Sequence, residues 1–140
     1  MSTAAAQPVD ELLRENEELR SRLAHVARIV SIVQHSSEAI ASTATDGTLL
    51  CWNKAAERLY GFTAGEAIGR SVLELVPFDR LAEHKDAVAR ALGGQSVVLE
   101  TRRRRRDGSI VMCRVTYARL ADDETGKLLG CSITAHALER

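Results

Sequence analysis

Four histidines, three cysteines and a run of five arginines are the residues of this chain whose types could do chemistry. His25, His35, His84 and His136 are scattered, and Cys51, Cys113 and Cys131 show no Cys-x-x-Cys spacing, so neither a zinc site nor a secreted disulfide framework is expected. Reduced, buried thiols fit better. No nucleophile–base pair and no paired-carboxylate motif stands out. The arginines, Arg102 to Arg106, precede the turn Asp107-Gly108 in RRRRRDGS. Such a run could mark a nucleic-acid surface, but the formal net charge of the chain is zero, and on a strand successive side chains point to opposite faces. Val97 and Leu99 lead into Arg103 and Arg105 on one face, and Val98 and Glu100 lead into Arg102, Arg104 and Arg106 on the other. The run therefore reads as the exposed tip of an edge strand, where charge discourages edge-to-edge pairing, and nucleic acid is not expected as a partner.

The elements that must position these residues begin with a helix. The chain has 140 residues, 45% apolar and 27% charged, which suits one globular domain with an appendage. No apolar run approaches a membrane span and no signal peptide is evident, so a soluble, cytoplasmic protein is expected. After a flexible tail over 1–8, residues 9–35 carry a heptad pattern. With Val9 at position a, the a positions are Val9, Asn16, Leu23 and Val30, and the d positions are Leu12, Leu19, Val26 and Val33. A single helix would leave that narrow seam in water, so a second helix is expected. The reading is a homodimer joined through Leu12, Asn16, Leu19, Leu23, Val26, Val30 and Val33, with paired Asn16 amides setting the register and Glu15 reaching Arg20 of the partner. Ile29 and Ile32 widen the apolar face, and an amphipathic helix lying on its own domain is the competing reading.

Residues 36–135 read as a mixed α+β domain. Ile40 to Ala44 and Thr48 to Trp52 are strand-like around Asp46-Gly47. Asn53 can cap a helix over KAAERLY that Gly61 closes, and Thr63 with Glu66 forms a capping box for AGEAI. A short turn at SVLEL stops at Pro77. A helix from about Asp79 to Leu92, with Leu81, Val88 and Leu92 on one side, ends at Gly93-Gly94. Three strand-like runs follow, Ser96 to Arg105, Ser109 to Leu120 and Leu128 to Thr134, joined by turns at Asp107-Gly108 and within Asp122 to Lys127.

From about Arg28 to Thr134 the chain resembles the PAS sensory domains, through RIVSIVQHSSEAI, DGTLLCWN, AAERLYGFTAGEAIGRS and RRRDGS. The most specific block is WN-x-x-AE-x-x-YGFT-x-x-E-x-IG, Trp52 to Gly69. The resemblance implies a five-stranded antiparallel sheet in order 2-1-5-4-3. It also implies short helices enclosing a small cavity on one face, an N-terminal helix covering the other face or joining two subunits, and the start of an output linker at 136–140. It implies a sensing and dimerisation module of a bacterial-type signal-transduction protein. Such a module binds a small ligand or partner and acts on an effector such as a histidine kinase. The alternative is a ligand-free, constitutive dimerisation scaffold.

Within that frame Trp52, Asn53 and Met112 are candidates for lining the cavity, although capping for Asn53 and packing for Trp52 are the stronger readings. Glu57 and Arg70 are expected to form a structural ion pair. His84, seven residues after Pro77, resembles in spacing the proximal haem ligand of rhizobial oxygen-sensing PAS domains, but a lone histidine is more often surface or core filler. Light-sensing relatives need a cysteine after the Gly-Arg of the second short helix, where this chain has Val72, so a covalent flavin photocycle is not expected. No cofactor is the leading expectation, with haem or non-covalent flavin behind it. At the end, Ser132-Ile133-Thr134 stands where the family often has Asp-Ile-Thr, which departs from its usual link to an output helix.

Overall fold

The computed structural model describes residues 6–138, and the chain divides after Val33 into two units. The first is the helix α1, Ala6–Gln34. Along it Leu12, Leu19, Leu23, Val26 and Val30 are all exposed, as is Asn16, while Val33 is half-buried. An apolar seam of this kind gains nothing from facing water.

The second unit carries β1 (Ala39–Thr43), β2 (Leu49–Trp52), α2 (Lys54–Tyr60), α3 (Ala64–Ala67), 3-10 turns at Val72–Leu75 and Phe78–Arg80, α4 (Leu81–Leu92), β3 (Val97–Arg104), β4 (Ile110–Ala121) and β5 (Leu128–Ala137). The five strands form one antiparallel sheet in the order β2-β1-β5-β4-β3, as the resemblance implies. Local chemistry sets most boundaries. The Asp46 carboxylate accepts from the Thr48 N–H at 3.0 Å in the β1–β2 turn, and Thr63 and Glu66 complete the reciprocal capping box of α3. Gly61 closes α2 at φ 85°, a conformation that favours glycine. Gly130 has a different task. A Cβ there would collide with the Thr43 carbonyl oxygen, so glycine lets β5 lie directly against the end of β1.

Alternation divides the sheet into two faces. Ala39, Ala41 and Thr43 of β1, Val111, Cys113, Val115 and Tyr117 of β4, and Cys131, Ile133 and Ala135 of β5 are buried on the inner face with the helices. Two expectations need correction. The helix expected from Asp79 begins at Leu81 after a 3-10 turn, and the residues it buries are His84, Ala87 and Ala91, with Val88 and Leu92 only partly covered. Two alanines let the helix approach the sheet closely, and the larger residues are displaced to its flank. The last strand runs to Ala137, past the expected Thr134, so the register Ala135–Val115, His136–Arg114 and Ala137–Cys113 keeps the first residues of the supposed linker in the sheet.

Candidate functional site

The flank of α4 forms one wall of a cleft of about 310 Å³. Val88, Ala89 and Leu92 supply that wall, Val72 and Leu73 of the first 3-10 turn face them, and Thr43, Thr45, Asp46 and Gly47 close one side from β1 and its turn. His84 and Lys85 bring the polar atoms of α4 to the same space. The lining is largely apolar with a few polar groups, the usual composition of a small-molecule site.

His84 is 3% exposed, and its Nδ1 lies 2.8 Å from the Tyr117 hydroxyl. Tyr117, fully buried on β4, also takes an N–H from the guanidinium of Arg103 on β3. One assignment of the protons satisfies all three groups. A guanidinium can only donate, so the tyrosine oxygen accepts from Arg103 and the single phenolic hydrogen goes to His84 Nδ1. Nδ1 is therefore the acceptor and Nε2 carries the imidazole hydrogen. Burial, reinforced by the positive charges of Arg103 and Lys85, pushes the His84 pKa down to about 4, so the ring is neutral. Burial likewise raises the Tyr117 pKa, against the opposing pull of Arg103.

Arg103 is only 3% exposed, which overturns the reading of the arginine run as an exposed tip. Parity assigned it correctly to the face of Val97, but the strand has not left the core there. Instead the guanidinium folds along the inner face to Tyr117 and to its neighbour's carbonyl, that of Arg102, at 2.9 Å. The other arginines also clasp the helical layer. Arg102 pairs with Asp79, Arg104 donates to the Val76 carbonyl at 3.2 Å, Arg105 donates to the Leu59 carbonyl at 3.1 Å, and Arg106 pairs with Glu66 at 2.7 Å. Of the five, only Arg106 is largely exposed to solvent.

The other candidates lie away from the cleft. Asn53 caps α2, and its Oδ1 accepts from the N–H groups of Ala56 and Ile40, each at 2.9 Å, while its Nδ2 donates to the Glu38 carbonyl at 2.9 Å. Trp52 donates its indole N–H to the Phe62 carbonyl at 2.9 Å and packs on Tyr60 with ring centroids 5.2 Å apart. The space beside it is about 10 Å³, room for little more than a water. Met112 alternates with the buried Val111 and Cys113 and so belongs to the opposite face of the sheet. The expected Glu57–Arg70 pair is replaced by two separate contacts: Glu57 accepts from the Ala64 N–H at 2.7 Å, which ties α2 to α3, and Arg70 pairs with Glu74 at 3.1 Å. Of the site residues named from sequence, His84 alone borders the cleft. Its buried partners Tyr117 and Arg103 went unrecognised, although strand parity places each on the inner face.

The same geometry bears on cofactors. Iron ligation through His84 Nε2 would need that nitrogen unprotonated, with the ring hydrogen moved to Nδ1 and donated to the Tyr117 oxygen. Val72 does border the cleft, but it offers no thiol for a flavin adduct. Among the described residues no cluster of His, Cys, Asp and Glu has the arrangement of a metal site.

A family model of the PAS fold matches residues 27–136. Among solved structures, the chain is similar to a PAS domain from Colwellia psychrerythraea, at 23% identity over 81% of this chain and 96% of the other, with a TM-score of 0.75. It is similar to the PAS domain of a two-component sensor histidine kinase at 15% identity over 87% and 99%, with a TM-score of 0.66. It is also similar to the PAS domain, in complex with ethanol, of a LuxR-family transcriptional regulator from Burkholderia thailandensis, at 19% identity over 77% and 95%, with a TM-score of 0.62. No curated protein matches. The sheet order, the helices on one face and the family match over 27–136 together establish that this chain belongs to the PAS fold family.

Proposed function

We propose that this PAS domain is the sensing and dimerisation module of a cytoplasmic signal-transduction protein, acting by binding and not by catalysis. The observation that carries the ligand half of the reading is the cleft between α4, the Val72–Leu75 turn and the β1–β2 turn, apolar along its walls and polar where His84 and Lys85 meet it. A small molecule seated there touches both the helical layer and, through His84 and Tyr117, the central strands. Binding shifts an equilibrium only by its difference in affinity for two arrangements, and a ligand placed between layers is suited to produce one. The dimerisation half rests on the exposed seam of α1, whose most economical cover is the same seam of a second copy. No helix among the described residues is long and apolar enough to cross a membrane. An effector such as a histidine kinase or a transcription regulator is consistent with the settings of similar PAS domains.

Native mass spectrometry of the purified protein tests both halves. The expected result is a dimer that carries, or is stabilised in a thermal-shift screen by, a small organic molecule, and that becomes monomeric in Leu19→Asp/Leu23→Asp. A monomeric wild type would remove the dimer reading. The second reading, a ligand-free scaffold, is favoured by the closed packing around Trp52, and a dimer that nothing in the screen stabilises would select it.

A further inference from the structure

The ligand reading can be taken a step further from the charge at the polar end of the cleft. Arg103 is buried, and among the described residues its guanidinium is met only by the Tyr117 hydroxyl and the Arg102 carbonyl, with no carboxylate in ion-pair distance. A buried cation satisfied by dipoles alone is costly, and nearby negative charge relieves it. The closest candidate within the protein is Glu83 of α4, but its carboxylate takes the Thr101 hydroxyl and lies 3.5 Å from Arg80. Asp46 sits on the cleft rim with its carboxylate turned to the Thr48 N–H, exposed and screened by water.

The charge of Arg103 instead polarises a chain of hydrogen bonds that leads toward the cleft. Arg103 donates to Tyr117, Tyr117 donates to His84 Nδ1, and the remaining hydrogen on Nε2 is the polar group that His84 has left to offer; no group among the described residues takes it. Hydrogen bonds aligned head to tail polarise one another, so that N–H is a stronger donor than an isolated imidazole. Lys85 adds an ammonium beside it on the same helix. The cleft thus presents donors and positive charge at one end and Val72, Val88 and Leu92 along its walls.

We propose that the cleft binds a small organic carboxylate with a compact apolar body, its head group accepting from His84 Nε2–H and facing Lys85, with Tyr117 and Arg103 as positioning residues behind His84. This rests on the ligand-sensing reading above and adds the class of ligand. A carboxylate is a stronger acceptor than an alcohol for the polarised Nε2–H and faces favourable positive charge there, whereas an ammonium meets like charge.

The test uses three probes of one chain length on the full chain: hexanoate, hexanol and hexylamine, each titrated by calorimetry and thermal shift. Hexanoate is expected to bind at least about tenfold more tightly than hexanol, a difference that one charge-assisted hydrogen bond supplies, and hexylamine not at all. Lys85→Glu, on an exposed residue, should weaken hexanoate by a larger factor than hexanol. Tyr117→Phe, which keeps the ring packing, should weaken hexanoate too. In nitrogen-detected NMR the His84 imidazole of the wild type should be the Nε2–H tautomer, with that hydrogen shifted downfield by hexanoate. Equal binding of hexanoate and hexanol, preference for hexylamine, or hexanoate affinity unmoved by both variants would overturn the carboxylate assignment while leaving a ligand-binding cleft in place. If none of the three probes binds, the assignment falls, and the broader ligand screen decides the sensing reading by itself.

Discussion

Two buried polar centres of this domain are built to different ends. At Asn53 the carboxamide oxygen accepts from two backbone N–H groups and the amide nitrogen donates to a backbone carbonyl, so its polarity is consumed in joining β1, the start of α2 and the residue before β1. At His84 one nitrogen is held by Tyr117 and the other is left facing the cleft. The first centre belongs to the most recognisable stretch of the sequence, and the second to a stretch with little signature. In this chain the recognisable motif thus marks a polar centre that the fold consumes, while the polar atom left over sits in a stretch with little signature.

The comparison is broken most directly at Asn53. Asn53→Ala removes a helix cap and leaves two donors and an acceptor without their partner, so urea unfolding should show a loss of about 3–5 kcal/mol, with cleft affinity unchanged in the fraction that remains folded. A loss under about 1 kcal/mol would mean that water replaces the side chain, and the centre would not be structural in the sense argued.

A somewhat smaller effect is expected from pH. The folded His84 pKa of about 4 lies below the ordinary imidazole value of 6.5, so the unfolded chain takes up the proton first. The contribution of neutral His84 is then whole above pH 6.5 and is lost as pH falls from there to about 4, on the order of 3 kcal/mol in all. Asp46, Glu66, Asp107 and Asp122, whose carboxyls are held below their usual range mainly by hydrogen bonds from Thr48, Thr63, Ser109 and Thr125, act only at lower pH. Denaturant melts between pH 7 and 4.5 should therefore show the loss in the wild type and not in His84→Leu. A flat wild-type profile would show that His84 takes up its proton in the fold as readily as in the unfolded chain, and the depressed pKa would be wrong.

The smallest effect lies at the end of the arginine run. Arg106 pairs with Glu66 at the surface, and Arg106→Ser should change stability by no more than about 0.5 kcal/mol. A cost of several kcal/mol would mean that the pair, and not the capping box to which Glu66 also belongs, holds α3 in place.

Much of the fold was legible because its signals are local. Asp46-Gly47 and Asp107-Gly108 mark turns, Asn53 and Thr63 start helices, and alternation separates Val111, Cys113 and Val115 from Met112 before any coordinates are known. The site was less legible. Arg103 and Tyr117 are 14 positions apart and meet along the inner face because both side chains are long and the core leaves them room. No spacing rule selects that pair, and a run of five arginines suggests solvent at every position. The Glu57–Arg70 expectation failed for a related reason: each charge found a nearer partner, a backbone N–H for Glu57 and the i+4 carboxylate of Glu74 for Arg70.

By itself, the amino-acid sequence determined which segments become strands and helices, most of the turns and caps between them, the two faces of the strands, and that α1 carries a seam in search of cover. Those properties follow from backbone sterics, capping and period, which act within a few residues. Tertiary structure alone decided that α4 sits close on its alanines, that a cleft opens beside it, and that one arginine of five is buried behind Tyr117 and His84. These depend on how layers pack in space, where volume and charge from distant segments are balanced against each other.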